Sequence, residues 1–141
     1  MFERCLYFNV NALTRVINKR WVEAFKPFDL SPSHGYLVRL VLEQPGISPR
    51  DIALELKLEK STVTRFLDVL EQKQFVVRRA SSKTDAREIE IVPTPKAKKI
   101  AESLQQTGDQ LYGEMLSQIG ATRLKSLVKE LRAVEERLSS Q

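Results

Sequence analysis

Two short amphipathic helical stretches around a tight turn, with an alternating basic segment directly behind them, constrain this chain more than anything else in it. The first stretch opens at Ser48-Pro49-Arg50-Asp51, with Ser48 as N-cap, Pro49 at the first helical position and Asp51 completing an abbreviated capping box. Ile52, Leu56, Leu58, Val63, Phe66, Leu67 and Leu70 then recur at spacings that suit a small core shared by two helices. This leaves Ser61, Thr62, Thr64, Arg65 and Asp68 largely outward on the second helix. Behind it come Phe75-Val76-Val77-Arg78-Arg79, a polar tip from Ser81 to Arg87, and Glu88-Ile89-Glu90-Ile91-Val92. In that return run Ile89 and Ile91 share one face while Glu88 and Glu90 take the other, the period of a half-buried hairpin strand.

Such an order suits one helix to a DNA major groove and a positive finger to the neighbouring minor groove. Ser61, Thr62 and Thr64 offer short donors and acceptors, and Arg65 is the long bidentate donor suited to guanine or phosphate. Arg50 and Lys83 are placed for phosphate, and Lys60 and, on the incoming strand, Arg78 are further DNA-binding candidates. An arginine on the protruding tip, as Arg87 is, can enter a narrow A·T-rich minor groove, and Asp85 near it works against DNA affinity unless it orients that arginine or ties the wing to its own domain.

The charge distribution agrees. Of a net +5, residues 1–44 carry +2, residues 45–99 carry +4 and residues 100–141 carry −1, so the excess sits where an anionic partner would bind.

Punctuation divides the chain into three regions: residues 1–44, 45–93 and 94–141. In the first, Leu6, Val10, Leu13, Ile17 and Trp21 recur at three- and four-residue steps and predict a helix that ends by Pro27 to Leu30. Ser31-Pro32 opens a second helix with Leu37, Leu40 and Val41 inward, stopped by Gln44-Pro45-Gly46. In the third region Thr94-Pro95 starts a long helix running to about Ile119, with Gly108 and Gly113 as weak points, and Gly120 separates it from a last helix. There Leu124, Leu127, Leu131, Val134 and Leu138 alternate three- and four-residue steps, a heptad seam. Five such side chains left wet would forgo about 1.5–3 kcal/mol each. Their cover is either the chain's own first helix or a second copy, and the spacing of two DNA half-sites favours the second copy. The expected fold is therefore mostly α (α+β): a winged helix-turn-helix whose N- and C-terminal helices build a homodimer.

The run Ser61-Thr-Val-Thr-Arg-Phe-Leu-Asp-Val-Leu-Glu71, the strand Phe75–Arg79, Asp85-Ala-Arg87 and Val92-Pro-Thr-Pro-Lys-Ala-Lys98 together resemble the MarR family of bacterial transcription regulators over nearly the whole chain. The Asp-x-Arg tip is the most telling match. The resemblance implies an obligate dimer of winged lobes on pseudo-palindromic double-stranded operator DNA, with binding often relieved by a small phenolic or otherwise lipophilic effector. It also implies Arg87 as the minor-groove arginine and Asp85 as its orienting partner. Three positions depart from the pattern. Gln74 stands where a glycine usually ends the recognition helix, and a left-handed Gln74 would cost roughly 1–2 kcal/mol, which favours a different helix end. Pro93 is expected to shorten the return strand. Glu59 takes an N-cap position where Ser or Asp would cap better.

Trp21, Phe25, His34, Tyr36 and Arg39 are the candidate lining of an effector crevice. Cys5, with Arg4 and Tyr7 nearby, is the candidate redox residue, since some members of the family sense peroxides through a first-helix cysteine; a small buried residue is the plainer reading. A single cysteine leaves no internal disulfide and fits the reducing cytoplasm. No apolar run approaches a membrane span. One histidine, one cysteine and the lack of a glycine-rich phosphate loop leave no nucleophile–base pair, metal site or cofactor site to argue from, which sets an enzyme aside. The rivals to a sequence-specific regulator are an architectural DNA binder and a protein-interaction adaptor on the same fold.

Overall fold

The computed structural model describes residues 1–81 and 88–140. The order of elements is α1 (Leu6–Phe25), a 3₁₀ turn (Lys26–Phe28), α2 (Pro32–Glu43), α3 (Pro49–Leu56), α4 (Lys60–Gln72), β1 (Val76–Ala80), β2 (Ile89–Pro93), α5 (Pro95–Ile119) and α6 (Ala121–Ser139). The chain forms two compact units, Met1–Gln105 and Gln106–Gln141, with α5 beginning in the first and ending in the second. No helix among the described residues is long and apolar enough to cross a membrane.

In the first unit the helix starts follow their caps. Ser31 Oγ accepts from His34 N and Ser48 Oγ from Asp51 N, each at 3.1 Å, and a proline occupies the first turn of both helices. The turn between α3 and α4 is made by Lys57 in the left-handed region (φ 55°), with Leu58 N donating to Ala53 O at 2.9 Å. Leu37, Val38 and Val41 of α2, Ile52 of α3, Val63, Leu67 and Leu70 of α4, Phe75, Val76 and Ile91 are buried around one centre. Leu40, Leu56, Leu58 and Phe66, expected in that core, are only half-buried at its edge. Phe25 closes the core from the end of α1 and is fully buried. A β-carbon on Gly35 would lie 2.3 Å from Phe25 Cε1, so α2 reaches this ring only through a residue without a side chain.

The sheet is one antiparallel pair in which Val76 faces Pro93, Arg78 faces Ile91 and Ala80 faces Ile89. Pro93 therefore ends β2 in register with Val76 instead of shortening it; as a terminal strand residue it can lack an N–H. Ile47 extends the ladder as an isolated bridge: Gly46 N donates to Ile91 O at 2.8 Å and Ile91 N to Ile47 O at 2.9 Å. The expected alternation holds at Ile91, which is buried, and weakens at Ile89, 43% exposed.

The end of α4 corrects the expectation drawn from Gln74. This residue does take the left-handed conformation, φ 65°, and Phe75 N returns to Leu70 O at 2.9 Å, so the helix closes as a glycine would close it. Gln74 N donates to Glu71 O at 3.0 Å and Gln74 O accepts from Thr94 Oγ1 at 2.6 Å, which holds the residue in place from both sides.

In the second unit Leu111 and Leu124 are buried. Gly120 (φ 93°) separates α5 from α6. Of the heptad seam, Leu127, Leu131, Val134 and Leu138 are 37–60% exposed.

Candidate nucleic-acid interface

α4 is the element on which the site is built. Its buried stripe, Val63, Leu67 and Leu70, seats it on the lobe, and Ser61, Thr64 and Arg65 are exposed on the remaining face. Lys60 at its first turn and Arg50 on α3 are exposed as well. Thr62 is half-buried, and its hydroxyl lies 3.4 Å from an Arg65 nitrogen that donates to it. Thr64 Oγ1 donates back to Lys60 O at 3.1 Å, which leaves its lone pairs outward. Glu59 precedes the helix with no side-chain cap bond.

Arg78, expected to contact DNA, ties β1 to α4. One terminal nitrogen donates to Asp68 Oδ1 at 2.8 Å and Thr64 O at 3.2 Å, and the other to Glu71 Oε1 at 3.3 Å. Its backbone N–H also donates to Glu71 Oε2 at 3.1 Å. The side chain is 24% exposed. The physical reason is strand alternation: Val76 is buried, so Arg78 two residues on shares its face and meets α4. That signal was present in the sequence. Arg79, on the opposite face, is exposed and pairs with Glu90 at 3.2 Å. Lys83, Asp85 and Arg87 lie outside the described residues.

The five residues expected to line an effector crevice divide. Trp21 Nε1 donates to the Tyr36 hydroxyl at 2.8 Å, the Arg39 guanidinium lies 6.0 Å from the Tyr36 ring, and Arg39 also donates to Gln105 Oε1 at 3.0 Å. Phe25 is 6.0 Å from Tyr36, ring to ring, but is fully buried and belongs to the core. His34 leaves the group: two residues before Tyr36 on a helix, it points elsewhere and meets Phe66 of α4 edge-on at 4.6 Å. Burial, and then the nearby Lys73 ammonium, hold its imidazole below the ordinary histidine range.

Cys5 is half-exposed, not a buried core residue. It caps α1, its Sγ accepting from Phe8 N at 3.4 Å. No cluster of metal-ligating side chains occurs among the described residues.

A helix pair carrying a strand pair directly behind its second helix defines a winged helix-turn-helix, with α4 in the place of the recognition helix. The sequence profile of the MarR family matches residues 30–89. The HTH-type transcriptional regulator SarZ of Staphylococcus saprophyticus is 30% identical over 113 residues, 79% of this chain and 76% of that protein. The chain belongs to the MarR family, a family of transcriptional regulators and not of enzymes. Among solved structures, the MepR–DNA complex of S. aureus superposes with a TM-score of 0.85 at 20% identity, covering 96% of this chain and 99% of that one. CouR from Rhodococcus jostii RHA1, bound to p-coumaroyl-CoA, superposes with a TM-score of 0.78 at 20% identity, over 95% and 94% of the two chains. At those identities the two structures speak for the fold.

Proposed function

We propose that this chain is a cytoplasmic, sequence-specific regulator that binds double-stranded operator DNA as a homodimer and represses transcription until a small aromatic or lipophilic effector releases it. One observation carries the reading: the outward face of α4 presents Ser61, Thr64 and Arg65 while Arg78 braces the same helix from the wing. Those side chains read base edges, and Lys60, Arg50 and Lys83 neutralise phosphates. Arg87, oriented by Asp85, enters the minor groove. MepR, whose fold this chain shares, is known in a complex with DNA, which supports that reading.

Two copies are needed because one α4 covers only a half-site. The exposed seam of Leu127, Leu131, Val134 and Leu138, and the exposed Leu6, Val10 and Leu13 of α1, are apolar surface for a second copy to cover. Trp21, Tyr36 and Arg39 are suited to an aromatic effector, as the p-coumaroyl-CoA bound by CouR is aromatic.

Enrichment of duplexes from a randomised pool by the purified chain tests the proposal. A palindromic motif with half-sites one helical turn (~34 Å) apart is expected, bound by a dimer and weakened by salt. Arg65→Ala should weaken the enriched duplex more than a scrambled one; equal losses would remove its base-reading role. A monomer that retards no duplex in dilute buffer would refute the whole reading.

A further inference from the structure

The C-terminal end of α4 is held from three sides by groups that the reading above leaves unused. Beyond Gln72 the carbonyls of Lys73, Gln74 and Phe75 each accept a bond from outside the helix. Lys96 Nζ donates to Lys73 O at 2.8 Å, and Thr94 Oγ1 donates to Gln74 O at 2.6 Å and approaches Phe75 O at 3.2 Å. Thr94 N donates to Phe75 O at 3.1 Å. The Lys96 ammonium also sits 4.4 Å from the centre of the buried Phe75 ring. On the far side, Lys73 Nζ donates to Asp29 O at 2.7 Å.

Helix ends leave carbonyls unpaired and fray unless something collects them. A cation there also meets the negative end of the helix dipole. Here the collecting groups come from the first turn of α5 and the residue before it: Lys96 holds the carbonyl of Lys73 and Thr94 those of Gln74 and Phe75, and Gln74 between them is left-handed, a conformation that a β-carbon disfavours.

We infer that Lys96 is a positioning residue for the recognition helix: its ammonium pins the end of α4 to the start of α5 and so fixes the angle at which α4 meets DNA. This rests on the DNA-reading role proposed for α4. Lys96 itself touches no base. Its removal lets the strained turn at Gln74 relax and α4 swing about its buried stripe, which misaligns base contacts while leaving phosphate attraction intact.

The test compares Lys96→Met, Lys96→Arg and Lys98→Met, the last removing the same charge from an exposed position two residues along α5. The probes are the duplex that the wild-type chain enriches from a random pool and a scrambled duplex of the same length. Lys96→Met should weaken the enriched duplex about tenfold, a 1.4 kcal/mol change, and the scrambled one by less than about twofold. Lys96→Arg should recover most of the loss, and Lys98→Met should lower both affinities alike. Amide exchange at Gln74 and Phe75 should quicken in Lys96→Met and not in Lys98→Met.

Equal effects of Lys96→Met and Lys98→Met on both duplexes would overturn the inference, reducing Lys96 to one charge among several. Faster exchange with an unchanged affinity ratio would overturn it too, leaving only a structural clamp. If the wild-type chain enriches no duplex, the DNA reading fails and the positioning role falls with it, while the exchange comparison still reports whether the clamp exists.

Discussion

Replacing Gln74 with glycine should make this protein more stable, and the size of the gain follows from one dihedral angle. Gln74 has φ 65°, where a β-carbon crowds the following carbonyl at a cost of roughly 1–2 kcal/mol. Glycine removes that cost but returns about 0.4–1 kcal/mol through the greater freedom of the unfolded chain. The bonds around the turn are all to backbone atoms of residue 74 or its neighbours, Gln74 N to Glu71 O at 3.0 Å, Phe75 N to Leu70 O at 2.9 Å and Thr94 Oγ1 to Gln74 O at 2.6 Å, so all survive the exchange. The side chain is exposed, so little packing is lost. The net expectation is a stabilisation of about 0.5–1 kcal/mol. Urea unfolding at fixed protein concentration should show a higher midpoint with an unchanged slope. Gln74→Ala, which keeps the β-carbon, should stay within about 0.5 kcal/mol of wild type. A midpoint for Gln74→Gly at or below that of Gln74→Ala would show that the turn is unstrained, and the reasoning about the end of α4 would be wrong.

Three further outcomes follow from the same lobe. Arg78→Met should cost about 1–2 kcal/mol, and a double-mutant cycle with Asp68→Asn should return a coupling of about 0.5–1 kcal/mol, reduced because Asp68 is 64% exposed; additivity of the two would show that the bridge contributes nothing. Glu59→Asp supplies the missing cap on α4 and should raise stability by about 0.5–1 kcal/mol in thermal or urea unfolding, while leaving the charge at the helix start in place. Because burial and Lys73 lower the folded-state pKa of His34, the unfolded chain takes up its proton first. Stability is therefore full above about pH 6.5 and is lost as pH falls through the folded value, so the difference between wild type and His34→Phe should be constant above neutral pH and change only below it; a difference independent of pH throughout would show no linkage.

Most of the architecture was legible because local chemistry and tertiary structure agree. Ser31-Pro32 and Ser48-Pro49 start their helices as written, and the Thr94-Pro95 junction and Gly120 bracket α5. The face of α4 that carries Ser61, Thr64 and Arg65 was readable from the spacing of Val63, Leu67 and Leu70. What escaped were relations across distance. Whether an arginine on a strand meets solvent or a helix depends on which strand face the core takes: charge marks Arg78 for DNA, and alternation from Val76 turns it toward α4. His34 and Tyr36, two steps apart on α2, turn their side chains to different sides, one to Phe66 and the other to Trp21. Intrinsic preference alone disfavours a left-handed Gln74, whereas Thr94, twenty residues later, supplies a bond to its carbonyl and Lys96 one to the carbonyl of Lys73 before it. No spacing rule reports such a pairing.

The seat of the Phe25 ring against Gly35 reverses an everyday rule of protein engineering. Exchanging a glycine inside a helix for alanine ordinarily strengthens that helix by about 0.5–1 kcal/mol. At this position the added methyl group would have to occupy space already filled by an aromatic carbon, so the helix could improve only by prising itself away from its neighbour. A sequence optimised one helix at a time would make that exchange early and lose the junction on which the lobe closes.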